Sequence, residues 1–574
     1  MALAKGSEET MLIGIAASPG IAIGKALILT EAVFAGEKSE VNGDQQQAFQ
    51  EALEQSKQEI ILLRQQVSQQ TGEEAASVFD AHLLMLEDTS YVDPIREAIG
   101  QGADAVSAVQ ATMQQLVDLF RNMEDEYMRE RAADITDISR RLIRNLTGST
   151  AVDWGAIAEP VIVVAHDLTP SDTAQLDPSL VLGFAAESGG RTSHSAILAR
   201  TLGIPAVVGT KALLSKIKDG QLVIVDGDTG NIVIDPDADT VMQFRQKAAA
   251  AAQVRAELAL LKDQAAVTID GCCVELAANI GGPRDIAPAL ANGAEAIGLY
   301  RTEFLFMDHE AAPTEEEQYQ AYKAALEGMQ GRAVVIRTLD VGGDKQIAYL
   351  DMPKEDNPFL GWRAVRMCLD RPELFKVQLR ALWRAGCHGN LKVMFPMVSN
   401  LAEVKQAKHL LFQAREELLA EDRPVARKLQ IGIMIELPAA ALIVDQLASE
   451  VDFFSIGSND LIQYTVGVDR MNENIAHLYQ PLHPGVLRLI AMVIDAAHRQ
   501  DKSVGMCGEM AGDLTCIPLL LGLGLDEFSM SAGSIPQAKK LIQSLSATEC
   551  SKVAAKCLAA GEADEVRKQL AVLA

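Results

Sequence analysis

At 574 residues and 61.7 kDa, the chain is too long for one ordinary domain and implies two or three. It carries 51 Lys+Arg against 78 Asp+Glu, and the resulting net charge of −27 argues against nucleic acid or an anionic membrane surface as the main partner. No apolar run reaches the ~18–20 residues of a membrane span, so no membrane insertion is expected.

The eight cysteines, all from residue 272 onward, form no CxxC pair and no zinc-ligand spacing, which points to a reducing compartment rather than a disulfide framework. The N-terminal MALAKGSEET is polar where a signal peptide would be apolar. The expected location is the cytoplasm.

In chain order, residues 12–29 read as two short apolar strands broken by Ser18-Pro19-Gly20. From about 43 to 148 the pattern becomes helical. Phe49, Leu53, Ile60, Leu63 and Val67 share one helix face, and Ala75, Val78, Phe79, His82, Leu83 and Leu86 form a second stripe. Further helices are predicted over 103–123 and 125–146, and together they suggest a bundle. Acidic residues at Glu73, Glu74, Glu87 and Asp88 flank the second helix and suit a partner with a basic face.

Strand patterns resume at 160–165, 180–185 and 222–225. The strands on either side of the helical stretch can therefore belong to one discontinuous α/β domain, expected at 1–30 and 149–236, with the helical insert at 31–148. Within that domain lies GGRTSHSAILAR, residues 189–200. The glycines permit a tight turn, and Thr192 or Ser193 can cap the helix that follows. His194 then falls in the first helical turn, where free amides and the positive dipole end favour a bound phosphate and a neutral imidazole. A neutral histidine beside an anion is what a phosphoryl-accepting nucleophile requires. The turn DLTPSDTA, residues 167–174, carries hydroxyls able to orient such a ring.

An alanine-rich helical stretch at 237–264 reads as a linker. Beyond it, strand candidates at 274–280, 296–300, 333–338, 392–397, 430–436, 451–456, 503–507 and 526–530 alternate with helices over 265–574. Eight such repeats match a (β/α)₈ barrel, whose functional residues gather at the C-terminal ends of the strands. An open doubly wound sheet is the alternative, but no Gly-rich dinucleotide fingerprint follows a first strand.

The strand ends carry Arg301, Arg337, Glu436, Asn459 with Asp460, and Cys507, with Arg470 one helical stretch later. Singly, each is ordinarily a surface arginine, a helix cap or a core thiol. Convergence on one rim changes that reading. Two carboxylates from neighbouring strands suit Mg²⁺, and three arginines offer forked donors for a phosphate and a carboxylate. A rim thiol can donate a proton.

GGRTSHSAI, GLYRTEFLFMD, NPFLGWRAVR, FFSIGSNDLIQYT, GMCGE and LGLGLDEFSMS, in this order and spacing, resemble the enzyme I family of the bacterial sugar phosphotransferase system from about residue 12 to about 542. The resemblance implies a swivelling phosphohistidine domain, a helical insert that docks the carrier HPr, and a barrel that binds phosphoenolpyruvate and forms a homodimer. It implies that His194 takes the phosphoryl group of phosphoenolpyruvate on Nε2 and passes it to a histidine of HPr, leaving pyruvate. Arg301, Arg337, Arg363, Asn459, Asp460 and Arg470 would hold the substrate, and Glu436 and Asp460 would bind Mg²⁺. Cys507 would protonate the enolate, and Thr173 would orient His194. Because one imidazole must serve both barrel and carrier, a rigid-body swing about 235–264 is expected.

The sequence departs from the family pattern at Leu437 and Ser458, where threonine is expected, and at His309, where arginine is expected. Leu437 neighbours a proposed metal ligand. Related swivelling enzymes that use ATP need an ATP-binding domain, yet residues 1–193 hold no P-loop and are mostly helical bundle. A non-catalytic adaptor would show a broken site, whereas every expected residue is present.

Overall fold

A computed structural model describes residues 10–29, 44–71, 73–121, 126–148, 159–168, 180–190, 193–307, 311–343, 345, 347–472 and 474–573. The chain divides into two compact units between Gln253 and Val254.

In the first unit, strands β1 (Thr10–Ile13), β2 (Ile15–Ser18) and β3 (Ile21–Ile28) precede five helices, α1 (Gln45–Thr71), α2 (Glu73–Met85), α3 (Thr89–Gly100), α4 (Ala105–Arg121) and α5 (Glu126–Thr147). Then follow β4 (Val161–Ala165), β5 (Val181–Ala186), α6 (His194–Leu202), β6 (Ala206–Val208), β7 (Leu222–Asp226) and β8 (Asn231–Ile234). The strands form one eight-stranded sheet in the order β1-β8-β7-β3-β4-β5-β6-β2. β3, β4, β5 and β6 run parallel.

Residues 12–29 thus form three strands rather than two. The extra break is at Gly14, where a Cβ would strike Val207 and Thr210 on the neighbouring segment. β6 and β8 were not anticipated, being only three and four residues long.

Alternation along β4 sends Ile162 and Val164 into one core and Val163 and Ala165 into another on the opposite face. Helix α6 lies on the second face, seating Ala196 and Ala199 against Phe184, Ala206 and Val208. Full burial of Phe184 alone contributes about 1.5–3 kcal/mol.

The helices have a core of their own. Phe49, Leu53, Ile60, Leu63 and Val67 are all buried, as their spacing predicts, and so are Phe79, His82 and Leu86. The side chain of Ala75 lies outside the described set. α3 is capped by Asp88, whose carboxylate accepts from the Ser90 amide at 2.7 Å. Glu87 pairs with Lys57 at 3.0 Å. Two members of the predicted acidic flank therefore already have internal work, and the side chains of Glu73 and Glu74 lie outside the described set.

The predicted linker is helical from Ala238 to Ala259, α7, and contains the division between the two units. In the second unit a short β9 (Ala266–Val267) pairs antiparallel with β10 (Cys273–Ile280). The ring continues through β11 (Ala296–Arg301), β12 (Ala333–Arg337), β13 (Asn390–Phe395), β14 (Gln430–Ile435), β15 (Phe453–Ile456), β16 (Ser503–Met506) and β17 (Glu527–Met530). β10 to β17 pair in parallel in sequence order, and β17 closes on β10. The result is a closed (β/α)₈ barrel.

Leu299, Val335, Met394, Met434, Phe453 and Cys507 pack together, while the larger core lies between strands and helices. Among the described residues, no helix is long and apolar enough to cross a membrane.

Candidate active site at the C-terminal rim of the barrel

A parallel ring places the C-terminal end of every strand on one rim. Arg301 and Arg337 are the last residues of β11 and β12, and Glu436 and Cys507 directly follow β14 and β16. After β15 the chain turns at Gly457 into the helix Ser458–Val466, whose first turn carries Asn459 and Asp460. Two glycines make this close approach possible. A Cβ on Gly457 would lie 3.1 Å from Glu436 Cβ, and one on Gly508 would lie 2.7 Å from the Ser458 amide and strike its hydroxyl.

An alternating chain of charges runs along the rim. Lys345 Nζ lies 2.6 Å from Glu303 Oε1, and Arg337 Nη2 lies 2.7 Å from the same oxygen. Arg337 Nη1 reaches Asp340 at 2.9 Å, and Arg363 Nη2 holds the other oxygen of Asp340 at 2.9 Å. Arg363 also meets Asp460 Oδ2 at 3.4 Å. Arg470 Nη1 lies 3.3 Å from Asp460 Oδ1, but the two are not aligned as a hydrogen bond, and both atoms remain without a hydrogen-bond partner.

Glu303 and Asp340 are almost fully buried. Burial alone would raise their carboxyls, yet the adjacent cations outweigh it and hold both below the ordinary range. They serve to keep Arg337 and Arg363 charged and aimed.

Glu436 behaves in the opposite way. Burial, and then the negative fields of Asp460 and Asp340, push its carboxyl up to about 8 despite Arg337 and Arg363. Its Oε1 accepts a hydrogen bond from the Met397 amide. Met397 is a buried, non-glycine residue held at φ 55° to offer that amide.

Beside this network opens a cavity of about 500 Å³, lined by Arg301, Asn459, Cys507, Asn279, Tyr479 and Glu509 among others. Arg301 makes no ion pair or side-chain hydrogen bond among the described residues, so its fork is free. Asn459 is fixed by Glu509, whose amide donates to Asn459 Oδ1 at 2.9 Å. The Asn279 amide group donates to the Cys507 carbonyl at 3.0 Å. Burial raises the Cys507 thiol to about 11, so it stays protonated at neutral pH.

The rim thus gathers Arg301, Arg337, Arg363, Glu436, Asn459, Asp460, Arg470 and Cys507. His194 belongs to the first unit. Its backbone opens α6, with Ser193 as N-cap accepting from the Ala196 amide at 3.4 Å and Gly189 at φ 99° in the preceding turn. The imidazole of His194, and Thr173 entirely, lie outside what the structure describes.

Glu303, Asp340, Lys345 and Glu509 were missed by the sequence reading. Glu303 and Glu509 lie in GLYRTEFLFMD and GMCGE, and Asp340 and Lys345 lie three and eight residues beyond the strand-end Arg337, so a carboxylate or ammonium close to an apolar strand end was the available signal.

Among the described residues, no group of three or more His, Cys, Asp or Glu side chains forms a metal cluster. Glu436 and Asp460 nonetheless fit a divalent cation. They are buried acids at neighbouring strand ends, the charge of Asp460 helps burial to raise the Glu436 carboxyl, and Asp460 Oδ1 has no donor. The arginines suit a ligand with phosphate and carboxylate groups, and the thiol suits proton donation.

Three family models match in succession: the N-terminal domain of PEP-utilising enzymes over residues 13–131, their mobile domain over 157–230, and their PEP-binding domain over 255–547. The chain is 51% identical over 562 residues to a phosphoenolpyruvate-protein phosphotransferase of Bacillus sp. (strain S), covering 97% of each chain. It is 51% identical over 558 residues to that of Listeria monocytogenes and 50% identical over 558 residues to that of Bacillus subtilis, covering 97% of this chain and 98% of each relative. With its barrel, its charged rim and this extent of identity, the chain belongs to the phosphoenolpyruvate-protein phosphotransferase family, enzyme I.

Proposed function

We propose that the chain takes the phosphoryl group of phosphoenolpyruvate onto His194, releases pyruvate, and passes the group to a histidine of HPr as the first step of sugar uptake by the phosphotransferase system. The observation that carries this reading is the rim. Arg301 and a protonated thiol line a cavity there, beside a network of carboxylate-held arginines and two acids suited to a cation.

Arg301 and Asn459 bind the substrate in the cavity. Arg337, Arg363 and Arg470 balance the charge of its phosphate and carboxylate. Glu436 and Asp460 would hold Mg²⁺, which supplies positive charge to the phosphoryl and enolate oxygens when bound.

The neutral Nε2 of His194 attacks phosphorus in line, forming an N–P bond as the bond to the enol oxygen breaks. The electron pair stays with the enolate, and Cys507 delivers a proton to its terminal carbon to give pyruvate. Thr173 orients the His194 ring. The helical insert receives HPr, a swing about 235–264 brings His194 to it, and two copies associate through their barrels. The working location is the cytoplasm.

A single-turnover experiment tests the reading. Mixing the chain with phosphoenolpyruvate and Mg²⁺, without HPr, should release one pyruvate per chain. The His194→Ala variant should release none. Stoichiometric release from that variant would overturn the assignment.

A further inference from the structure

The opposite end of the barrel carries a second cavity, of about 410 Å³, within the ~300–1,000 Å³ range of small-molecule sites. It is lined from the helices Pro372–Ala385 and Leu401–Ala420 and from the loops that lead into β14, β15 and β16. Those loops enter the strands at their N-terminal ends, so this cavity and the catalytic rim lie on different faces.

Its lining is basic, although the whole chain is strongly acidic. Lys408, Arg415, Arg427, Lys428 and Lys502 share the lining with Glu450 and Asp452, and Arg415 Nη1 pairs outside it with Glu416 at 2.8 Å. Both lining acids are already engaged. Lys408 Nζ holds Glu450 Oε2 at 2.7 Å, and Asp452 Oδ2 accepts the Ile431 amide at 2.8 Å. Among the described residues, Arg427, Lys428 and Lys502 have no ion pair or side-chain hydrogen bond. Arg415 Nε is buried with no hydrogen-bond partner.

Like charges gathered this way repel unless an anion joins them. The same cavity has an aromatic wall. Phe412 is 45% exposed, and its ring lies 6.1 Å from that of Trp383, over which Arg415 is stacked at 5.6 Å.

We propose that this cavity binds a nucleoside di- or triphosphate. Its flat base lies on the open face of Phe412, and its phosphates meet Arg427, Lys428 and Lys502. The ligand class follows from the pairing of an exposed ring with several unpaired cations in one cavity of suitable size.

Calorimetric titration of the full chain with adenosine diphosphate, without phosphoenolpyruvate or Mg²⁺, tests this. Saturable binding at one site per chain, below about 1 mM, is expected. The double variant Arg427→Glu/Lys428→Glu, altered at two exposed positions, should bind at least about tenfold more weakly while still releasing pyruvate from phosphoenolpyruvate. Pyrophosphate, which lacks the ring, should bind about tenfold more weakly than the diphosphate, and Phe412→Ala should abolish that difference. Absence of saturable binding, binding unchanged in the double variant, pyrophosphate binding equal to the diphosphate, or displacement by phosphoenolpyruvate would each overturn the proposal.

Discussion

In the proposed reaction Cys507 and Met397 carry distinct duties on the rim. Burial keeps the Cys507 thiol protonated up to about pH 11, so proton delivery should not weaken between pH 6 and about 9 and should be lost only as the pH rises through its titration. Replacing Cys507 with Ala should slow pyruvate formation by roughly 10²–10⁴-fold. Exchange of phosphate between phosphorylated chain and HPr should persist, and loss of both steps in parallel would refute the division of labour.

Met397 acts through its backbone, since its left-handed conformation presents the amide to Glu436. Met397→Val, β-branched and unsuited to positive φ, should raise the Mg²⁺ concentration for half-maximal activity by about tenfold. Met397→Gly should cost about 2–5 kcal/mol of stability through lost packing yet keep the Mg²⁺ dependence near that of the parent chain. Equal Mg²⁺ dependence in the two variants, read by metal titration, would refute this role. Such residues were invisible in the sequence. Arg301, Arg337 and Glu436 stand at the ends of readable strands, but which carboxylate steadies which arginine depends on side chains brought together only by the closed ring.

At the scale of elements, the loops after β15 and β16 lock together where Gly508 passes Ser458, and they carry Asn459 and Cys507 with them. Gly508→Ala should therefore raise the KM for phosphoenolpyruvate and lower kcat together while the barrel stays folded. Adding Ser458→Gly should restore part of the loss, because one of the two clashing groups is removed. The start of α6 is equally specific. Ser193→Ala should destabilise that helix by about 0.5–2 kcal/mol, measurable as faster amide exchange over 194–202.

The eight barrel strands were legible because each is short, mostly apolar and largely buried on both faces, polar members such as Glu275, Lys392 and Glu527 notwithstanding. β6 and β8 were not, because three or four apolar residues do not separate a strand from a loop. The helix at Thr89–Gly100 was obscured by Pro94 and by an N-cap that reads as surface charge.

For the whole molecule, pH bears on stability through the far end of the barrel. Glu527 occupies space left by Gly298 and Gly505, and burial together with Glu275 raises its carboxyl from 4.5 to about 7 despite Lys392. A carboxyl raised on folding favours the folded state while it is protonated. Its contribution is full below about 4.5 and is lost as the pH rises through about 7. Glu527→Gln should therefore raise Tm at pH 8 by roughly 2–4 °C and flatten the dependence between pH 4.5 and 7. An unchanged slope would contradict this account of the lower barrel.

Two half-reactions sharing one imidazole define the account as a whole. The measurement that tests it most directly is the fate of label from radiolabelled phosphoenolpyruvate with Mg²⁺. The account predicts one acid-labile phosphoryl group per chain, passed on to HPr when that carrier is added and absent from His194→Ala. An acid-stable label, or a label retained by His194→Ala and still delivered to HPr, would contradict it.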